Sequence, residues 1–562
     1  QDNLGFFIWR QDASGNRVKI APHIIAGSAL LNRGHFTGGR SYRFVDKTAP
    51  AGFVQYYIED VDLKGAHTLH GPVTPRLVSS TAAADVTDPD PTLGSVGGIF
   101  TTDPGMGVTP VSPTAADATR LAQQWSLAAA SNAKVIVTQA GWYRFKKSDL
   151  VAAGFDPGTN PNKISVFADG IEIPIVVNSA TGKFDVNDTI EFFGTGIDTP
   201  GTGGHVYYVT TTKGSGLRYK SSAATGGQNQ PAGFNYTFNR TERTMYFVAL
   251  TNNGDRDNFF GAFVSSDPAS ETLSSSNIAP GNAVAHIVLQ GMTDNFSHVV
   301  SVTINGHELG PIRFNNQSRS VSDISLPTSY LVEGDNLLTF TALGGDDDAS
   351  LVETASLTYP HAYRAEQNAL AMSSPALTAV SVTGFTSTNV RVVDLTDPAN
   401  PMTVASTLKT ESDGTKTVSF TAPGTTGART LFAVGDDRVL APAQIVFNQP
   451  STLNATTNGA TMVIVSNKTF LSAANTLAAA RTAQGIKTIV VDVQNVYDEF
   501  SYGVHGPDAI RAFFQRATSS WATKPSYAIL FGDSSFDARN YYGMGSYDFV
   551  PTKMIASQYL KA

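Results

Sequence analysis

The chain has no cysteine in 562 residues. Its own side chains can therefore form no disulfide, no zinc–thiolate site and no thiol nucleophile. Charge is sparse too. Asp, Glu, Lys and Arg make up 15% of the chain, the net charge is −8, and no stretch gathers Lys and Arg into a block. That argues against nucleic acid or an anionic membrane surface as a partner. No apolar run approaches the roughly 18 residues that a membrane-crossing helix needs. The absence of thiols fits a cell-envelope or secreted protein, and a start at Gln1 rather than Met fits a removed signal peptide or trimming.

What is abundant is Gly, Ser, Thr, Asn and Ala, beside 41% hydrophobic residues. This balance suits β-rich, turn-rich domains, and the length suggests about four or five of them. Residues 1–75 read as short strands, "GFFIWRQ" (Gly5–Gln11), "YRFVDK" (Tyr42–Lys47) and "QYYIEDVDLKG" (Gln55–Gly65), a pattern that looks like a fibronectin type III module. Residues 76–112, rich in Thr, Pro, Asp and Gly, read as a linker. The unit 113–232 opens with a helix-forming "TAADATRLAQQWSLAAA" and continues as strands (Ala133–Phe145, Asn162–Val177 and Asp188–Gly196), with Asp169-Gly170 as a hairpin turn. Alternating strands and the Asn305-Gly306 turn make 233–363 a jelly-roll-like sandwich, and 364–457 reads as a further β sandwich. The triple-acid loop Gly344–Leu351 could hold calcium, with a solvated turn as the simpler reading.

The texture changes at 458–562. "TMVIVS", "KTIVVDV" and "SYAILFGD" are continuous apolar strands separated by helical segments, one ending near Gly485 and one starting at Pro507 with Ile510, Phe513, Phe514 and Ala517 on one face. This is a βαβαβ unit with a parallel sheet, and strands so apolar should be covered on both faces. Ligands gather beyond the carboxyl ends of such strands. Two loops qualify: "NVYDEFSYGVHGPD" (Asn495–Asp508) and "FGDSSFD" (Phe531–Asp537).

In the second loop Asp533 and Asp537 place two carboxylates after a rigid strand, hard oxygens that suit calcium. The competing reading is that Asp533 only orders its own loop. Ser534 follows Gly-Asp as in GDS-type lipases, but no histidine follows it to act as base. His505 sits in a flexible-looking glycine context and would need a nucleophile. Adjacent Asp498 and Glu499 should point apart, as solvated or loop-ordering groups. "HTLH" (His67–His70) follows a strand and lacks a carboxylate companion.

The segments "TMVIVSNKTFLSAANTLAAARTAQGIKTIVVDVQNVYDEFSYGVHGPDAIRAFF" and "KPSYAILFGDSSFDARNYYG" resemble the gingipain-like cysteine peptidases, which have a caspase-like fold. More loosely, "KVIVTQAGWYRFKKSDLVAAGFDP" and "VRVVDLTDPANP" resemble the β-rich region that precedes the peptidase in large secreted members. The resemblance implies a multi-domain, mainly β protein ending in the first half of a peptidase domain. It also implies a calcium ligand at Asp533 and, less directly, at Asp537. The family's catalytic Cys and His lie on segments that this chain does not match, and His505 does not align with that His. The expectation is a non-catalytic portion of a secreted or cell-surface cysteine endopeptidase, inactive alone. Its partners would be a C-terminal peptidase fragment, or the rest of the same precursor, and protein substrates in the complete enzyme. The alternative is a non-enzymatic cell-surface or fibre-forming adhesion protein built on the β sandwiches.

Overall fold

A computed structural model of the chain describes residues 115–247 and 258–553, together with 3–12, 15–20, 25–26, 46, 49, 55–62, 67–73, 99–100 and 110–111. The chain divides into two compact units, one mainly of residues 1–119, the other of residues 120–250 and 258–551. In the first, β1 (Asn3–Gln11), β2 (Gln55–Asp62) and β3 (His67–Val73) form an antiparallel sheet to which Arg17–Lys19 and Ile25–Ala26 add short strands. Apart from Asp46, the expected strand at 42–47 lies outside the described residues, as does nearly all of the expected linker.

The second unit is mostly antiparallel β. Helix α1 (Ala115–Ala128) leads into β4 (Ala133–Val137) and β5 (Gly141–Lys146). A five-stranded sheet is ordered Ile171–Ile173, β6 (Ile164–Ala168), then β8 (His205–Thr211), β4 and β14 (Gln444–Phe447), with β7 (Thr189–Gly194) pairing β5 in a second sheet. The two sheets close on one core that includes Val135, Tyr143, Ile164, Phe184, Phe192 and Tyr207. The expected Asp-Gly turn is present. Asp169 and Gly170 both have positive φ, at 50° and 72°, as a tight hairpin requires. A Cβ on Gly170 would lie 2.2 Å from the Arg120 carbonyl oxygen, so only glycine fits there.

Between β8 and β14 the chain builds two further β bodies. In the first, β9 (Asn282–Gly291) and β11 (Ser350–His361) lie in one sheet and β10 (Ser297–Ile304) in the other. Alternate residues of β10 are buried, from His298 to Ile304, the signature of a strand with one face on a core. In the next body, β12 (Val390–Asp394) and β13 (Ala428–Gly435) pair, and the edge strand Lys220–Ser222 joins their sheet from before the intervening body. The unit limits read from the sequence are thus crossed twice, by Lys220–Ser222 and by β14.

The last body is α/β: β15 (Met462–Ser466), α2 (Leu471–Ala483), β16 (Thr488–Asp492), α3 (Val493–Phe500), α4 (Pro507–Ser520) and β17 (Tyr527–Phe531). The sheet is parallel, with β15 between β16 and β17. Helix α2 covers one face through Ala474 and Ala478, while α3 and α4 cover the other through Val496, Tyr497, Ile510, Phe513 and Ala517. Two expectations are corrected. The stretch "NVYDEF" is helix rather than loop, because Asp492 caps it, its side chain accepting from the Gln494 amide at 3.0 Å. And only β15 is buried throughout. On β17, Tyr527 and Leu530 are exposed, since only Ile529 and Phe531 lean on α2.

Phe513 is fully buried and touches the rings of Phe500, Phe514 and Trp521. Phe513→Ala is expected to destabilise the α/β body by about 3–5 kcal/mol, seen as a lower denaturant midpoint for that body while the β-sheet signal persists.

Candidate functional site

The loop beyond β17 occupies the position where an open parallel sheet presents ligands. It closes on itself: the Asp533 carbonyl accepts from the amides of Phe549 and Val550 at 2.9 and 3.1 Å. The Asp537 amide donates to Ser535 Oγ at 3.0 Å, and the Asp537 carboxylate accepts from the amides of Tyr541 and Tyr542 at 2.7 and 2.8 Å. Asp548 Oδ1 accepts from the Ser535 amide at 3.0 Å. Asp537 is thus a buried loop-ordering acid, and Asp533 is exposed. Among the described residues no three or more His, Asp or Glu side chains are grouped to hold a metal ion.

Three contacts hold this loop against the β bodies. The first is ionic. Arg539 and Arg243 both donate to Asp198, which lies between β7 and β8. Burial alone would raise the Asp198 carboxyl; the two guanidiniums outweigh it and hold the group below its ordinary range. The second is aromatic. The Phe536 ring lies 4.4 Å from that of Tyr246, Tyr541 and Tyr542 pack on Phe259, and the Tyr246 amide donates to the Tyr542 hydroxyl at 2.8 Å.

The third contact is His505. Its Nδ1 lies 3.1 Å from the Gly201 carbonyl, its Nε2 lies 3.4 Å from Asp548 Oδ2, and its ring meets Tyr497 edge-on at 5.0 Å. A Cβ at Gly201 would come within 2.5 Å of the His505 carbonyl oxygen, so the close approach depends on glycine. His505 is therefore held rather than loose. Both of its nitrogens are engaged, with Gly201 and Asp548, and neither faces Ser534.

Asp498 and Glu499 do diverge, but neither is solvated; both are buried. Asp498 meets Lys134 Nζ at 2.7 Å, the Tyr208 hydroxyl at 3.0 Å and Gln494 Nε2 at 3.1 Å, and its carbonyl accepts from Gln124 Nε2 at 2.6 Å. Burial, reinforced by the neighbouring carboxylate, pushes the Tyr208 hydroxyl far above its ordinary pKa. Glu499 accepts from Ser451 Oγ and the amides of Leu453 and Asn454 at 2.6, 2.6 and 2.8 Å. Burial raises its pKa despite those three donors.

Other sequence candidates are structural as well. His67 and His70 do have carboxylate companions, Glu59 and Asp60 on the neighbouring strand, correcting the expectation that they had none. In the triple-acid loop, Asp348 is fully buried against His298 Nδ1 at 2.7 Å and the amides of Val299 and Gly344. On the body 233–363, the exposed large apolar residues are Val321, Val332, Leu337, Leu343 and one aromatic, Phe263. Among the described residues no row of exposed rings marks a sugar-binding face.

Sequence reading missed Lys134, Asp198, Gly201, Arg539 and Asp548. The first four have partners hundreds of positions away, 364 residues for Lys134 and Asp498, Asp548 meets His505 from a separate segment, and no local pattern signals such pairings.

Removing one partner of a buried ion pair leaves the other unpaired in low dielectric. Asp498→Ala is expected to cost about 3–5 kcal/mol, whereas the double replacement Lys134→Met with Asp498→Leu should recover most of that loss; denaturant unfolding of the three proteins checks both.

Comparisons with known proteins agree with this architecture. Residues 455–560 match peptidase family C25. A solved structure, dimeric latent PorU from Porphyromonas gingivalis, aligns with a TM-score of 0.56 at 17% identity, covering 74% of this chain and 43% of that one. The chain thus spans less than half the length of that protein, and the likeness is one of fold. The CBM36-1 domain of a multidomain xylanase from the hindgut metagenome of Trinervitermes trinervoides also aligns, at 12% identity over 22% of this chain and 95% of that one, but its TM-score of 0.16 carries no argument. No curated protein matches. Residues 455–560 are thus similar to peptidase family C25, and the resemblance to gingipain-like cysteine peptidases read from the sequence holds.

Proposed function

We propose that this chain is the non-catalytic portion of a secreted gingipain-like cysteine endopeptidase, with the catalytic Cys and His supplied by polypeptide outside it. The observation that carries the reading is β17. Among the described residues it is an edge strand of the three-stranded sheet in the segment that matches C25, with Tyr527 and Leu530 exposed. An edge strand of that kind pairs readily with further chain. In the complete enzyme a thiolate would attack the peptide carbonyl and pass through an acyl-enzyme. The present residues do none of that bond chemistry. They hold the first half of the sheet and fix the loop beyond β17 against the β bodies.

On this reading residues 1–75 form a fibronectin type III-like module, 233–363 a jelly-roll-like sandwich and 458–562 the first half of a caspase-like domain. The partner is the remainder of the peptidase, and the substrates are proteins. A secreted or cell-surface location follows the family, and among the described residues no helix is long and apolar enough to cross a membrane.

The chain alone should show no peptide hydrolysis, and mixing it with the remaining C25 segment should produce alkylation-sensitive turnover. Turnover by the chain alone, unaffected by alkylation, would sink the reading.

Calcium at Asp533 and Asp537 is a second part of the proposal. Its support is the exposed Asp533 carboxylate and the lone pairs that Asp537 keeps free of its two amide bonds, with main-chain carbonyls needed to complete a shell. Millimolar calcium should raise the melting temperature of the chain, and Asp533→Asn should remove most of that rise. An unchanged melting curve for the parent chain counts against the site.

A further inference from the structure

We propose that His505 and Asp548 form a proton-dependent latch that clasps the loop beyond β17 to the turn between β7 and β8. It is closed when the pair holds a proton between its facing atoms and released when that proton is lost.

The Gly201 carbonyl can only accept, so His505 Nδ1 must carry a proton to bond it at 3.1 Å. Nε2 then faces Asp548 Oδ2 at 3.4 Å. Two states make that contact attractive, an imidazolium beside a carboxylate or a neutral imidazole beside a carboxylic acid, and both hold one proton between Nε2 and Oδ2. With that proton gone, the one proton left on the ring can serve only one of its two acceptors, so a nitrogen lone pair faces either the Gly201 carbonyl or the Asp548 carboxylate and one side of the clasp becomes repulsive. A further proton added at low pH leaves the bond in place, because an acid oxygen still accepts from Nε2–H.

The surroundings favour holding the proton. The Asp548 side chain is 6% exposed. Burial raises its pKa, against the Ser535 amide and the charge on His505, which pull it down. From α3, the buried Tyr497 hydroxyl makes no hydrogen bond and faces the negative fields of Asp548 and Asp492; burial first, and then these charges, push its pKa far up, so it stays neutral and offers no cation. On the turn that carries Gly201, the charged group is Asp198, already neutralised by Arg243 and Arg539. On the His505 segment itself, Asp508 is paired with Arg511 at 3.0 Å. Among the described residues, the positive charge that favours an ionised Asp548 is therefore that of His505.

The sign follows from the raised acid. A folded-state pKa above the unfolded value gives stability that is complete below the unfolded pKa and is lost as pH rises through the folded one. What is lost is local. Asp548 Oδ1 holds the Ser535 amide, and the next two residues hold the Asp533 carbonyl, so release of the latch loosens both ends of the acidic loop. The Asp198 carboxyl, held below its ordinary range by two guanidiniums, keeps its charge and its grip on Arg539, which makes the change one of order rather than of global unfolding.

Hydrogen–deuterium exchange of the full chain at about pH 4 and about pH 8, which bracket a carboxyl raised above its ordinary value, tests the latch once intrinsic exchange rates are divided out. Protection of the amides of Ser535, Phe549 and Val550 should fall roughly tenfold across that range, with the core of β15 unchanged. Asp548→Asn mimics the neutral acid, because its amide donates to Nε2 without titrating and its oxygen still accepts from Ser535; it should keep the loop protected at both pH values. His505→Gln, which cannot titrate either, should also flatten the pH response. A parent chain whose loop protection is the same at both pH values overturns the proposal, as does an Asp548→Asn or His505→Gln protein that retains the parental pH dependence.

Discussion

The carboxylate of Asp498 is the constraint on which the geometry of the site rests. An ionised carboxylate with no water around it costs several kcal/mol unless its oxygens are filled. Here Lys134, Tyr208 and Gln494 fill them. Two of those partners belong to the β body, so α3 can sit in only one orientation on β4 and β8. Glu499, one residue on and about 100° around the helix, satisfies its own oxygens on the 451–454 turn. Neighbouring acids thus bind α3 to two different parts of the chain, and everything that follows α3, His505 included, inherits its position.

From that fixed helix the loop beyond β17 is held by contacts of three kinds. The Phe536, Tyr541 and Tyr542 rings contribute area and shape, with offset and edge-on geometry that tolerates small shifts. The paired guanidiniums on Asp198 contribute a charge-assisted bond that salt can weaken. The His505 contact is short-ranged and sensitive to a single proton. Because the three respond to different variables, the loop can change order without leaving its place.

Much of the fold is legible in the residues. The alternation of β10, the Asp169-Gly170 and Asn305-Gly306 turns and the continuous apolar run of β15 mark their elements through local physics. The helical face of α4 is equally plain, with Ile510, Phe513 and Ala517 buried as their spacing requires. The site is less legible. "NVYDEF" looks like a polar loop because its acids suggest solvent; it is a helix capped by Asp492, and its acids find buried donors on other segments. His505 looks mobile between glycines, yet Gly201, itself invisible as a site residue, lets a carbonyl approach it. Local pattern reports propensity and burial, whereas pairing across hundreds of residues is decided by tertiary packing alone.

Strand β14 pairs with β4 along its whole length, Gln444 to Phe447 against Ile136 to Ala133. On a ribosome the chain emerges from its amino end, so the body begun by α1 and β4 must wait, with one sheet margin bare, until residue 447 has been made. The two β bodies in between can settle first, since every strand of their sheets, Lys220–Ser222 included, has been made by residue 435. Assembly of this unit is therefore nested rather than serial: the inner parts mature while the outer one stands open, and its margin is sealed only as the α/β body begins to appear.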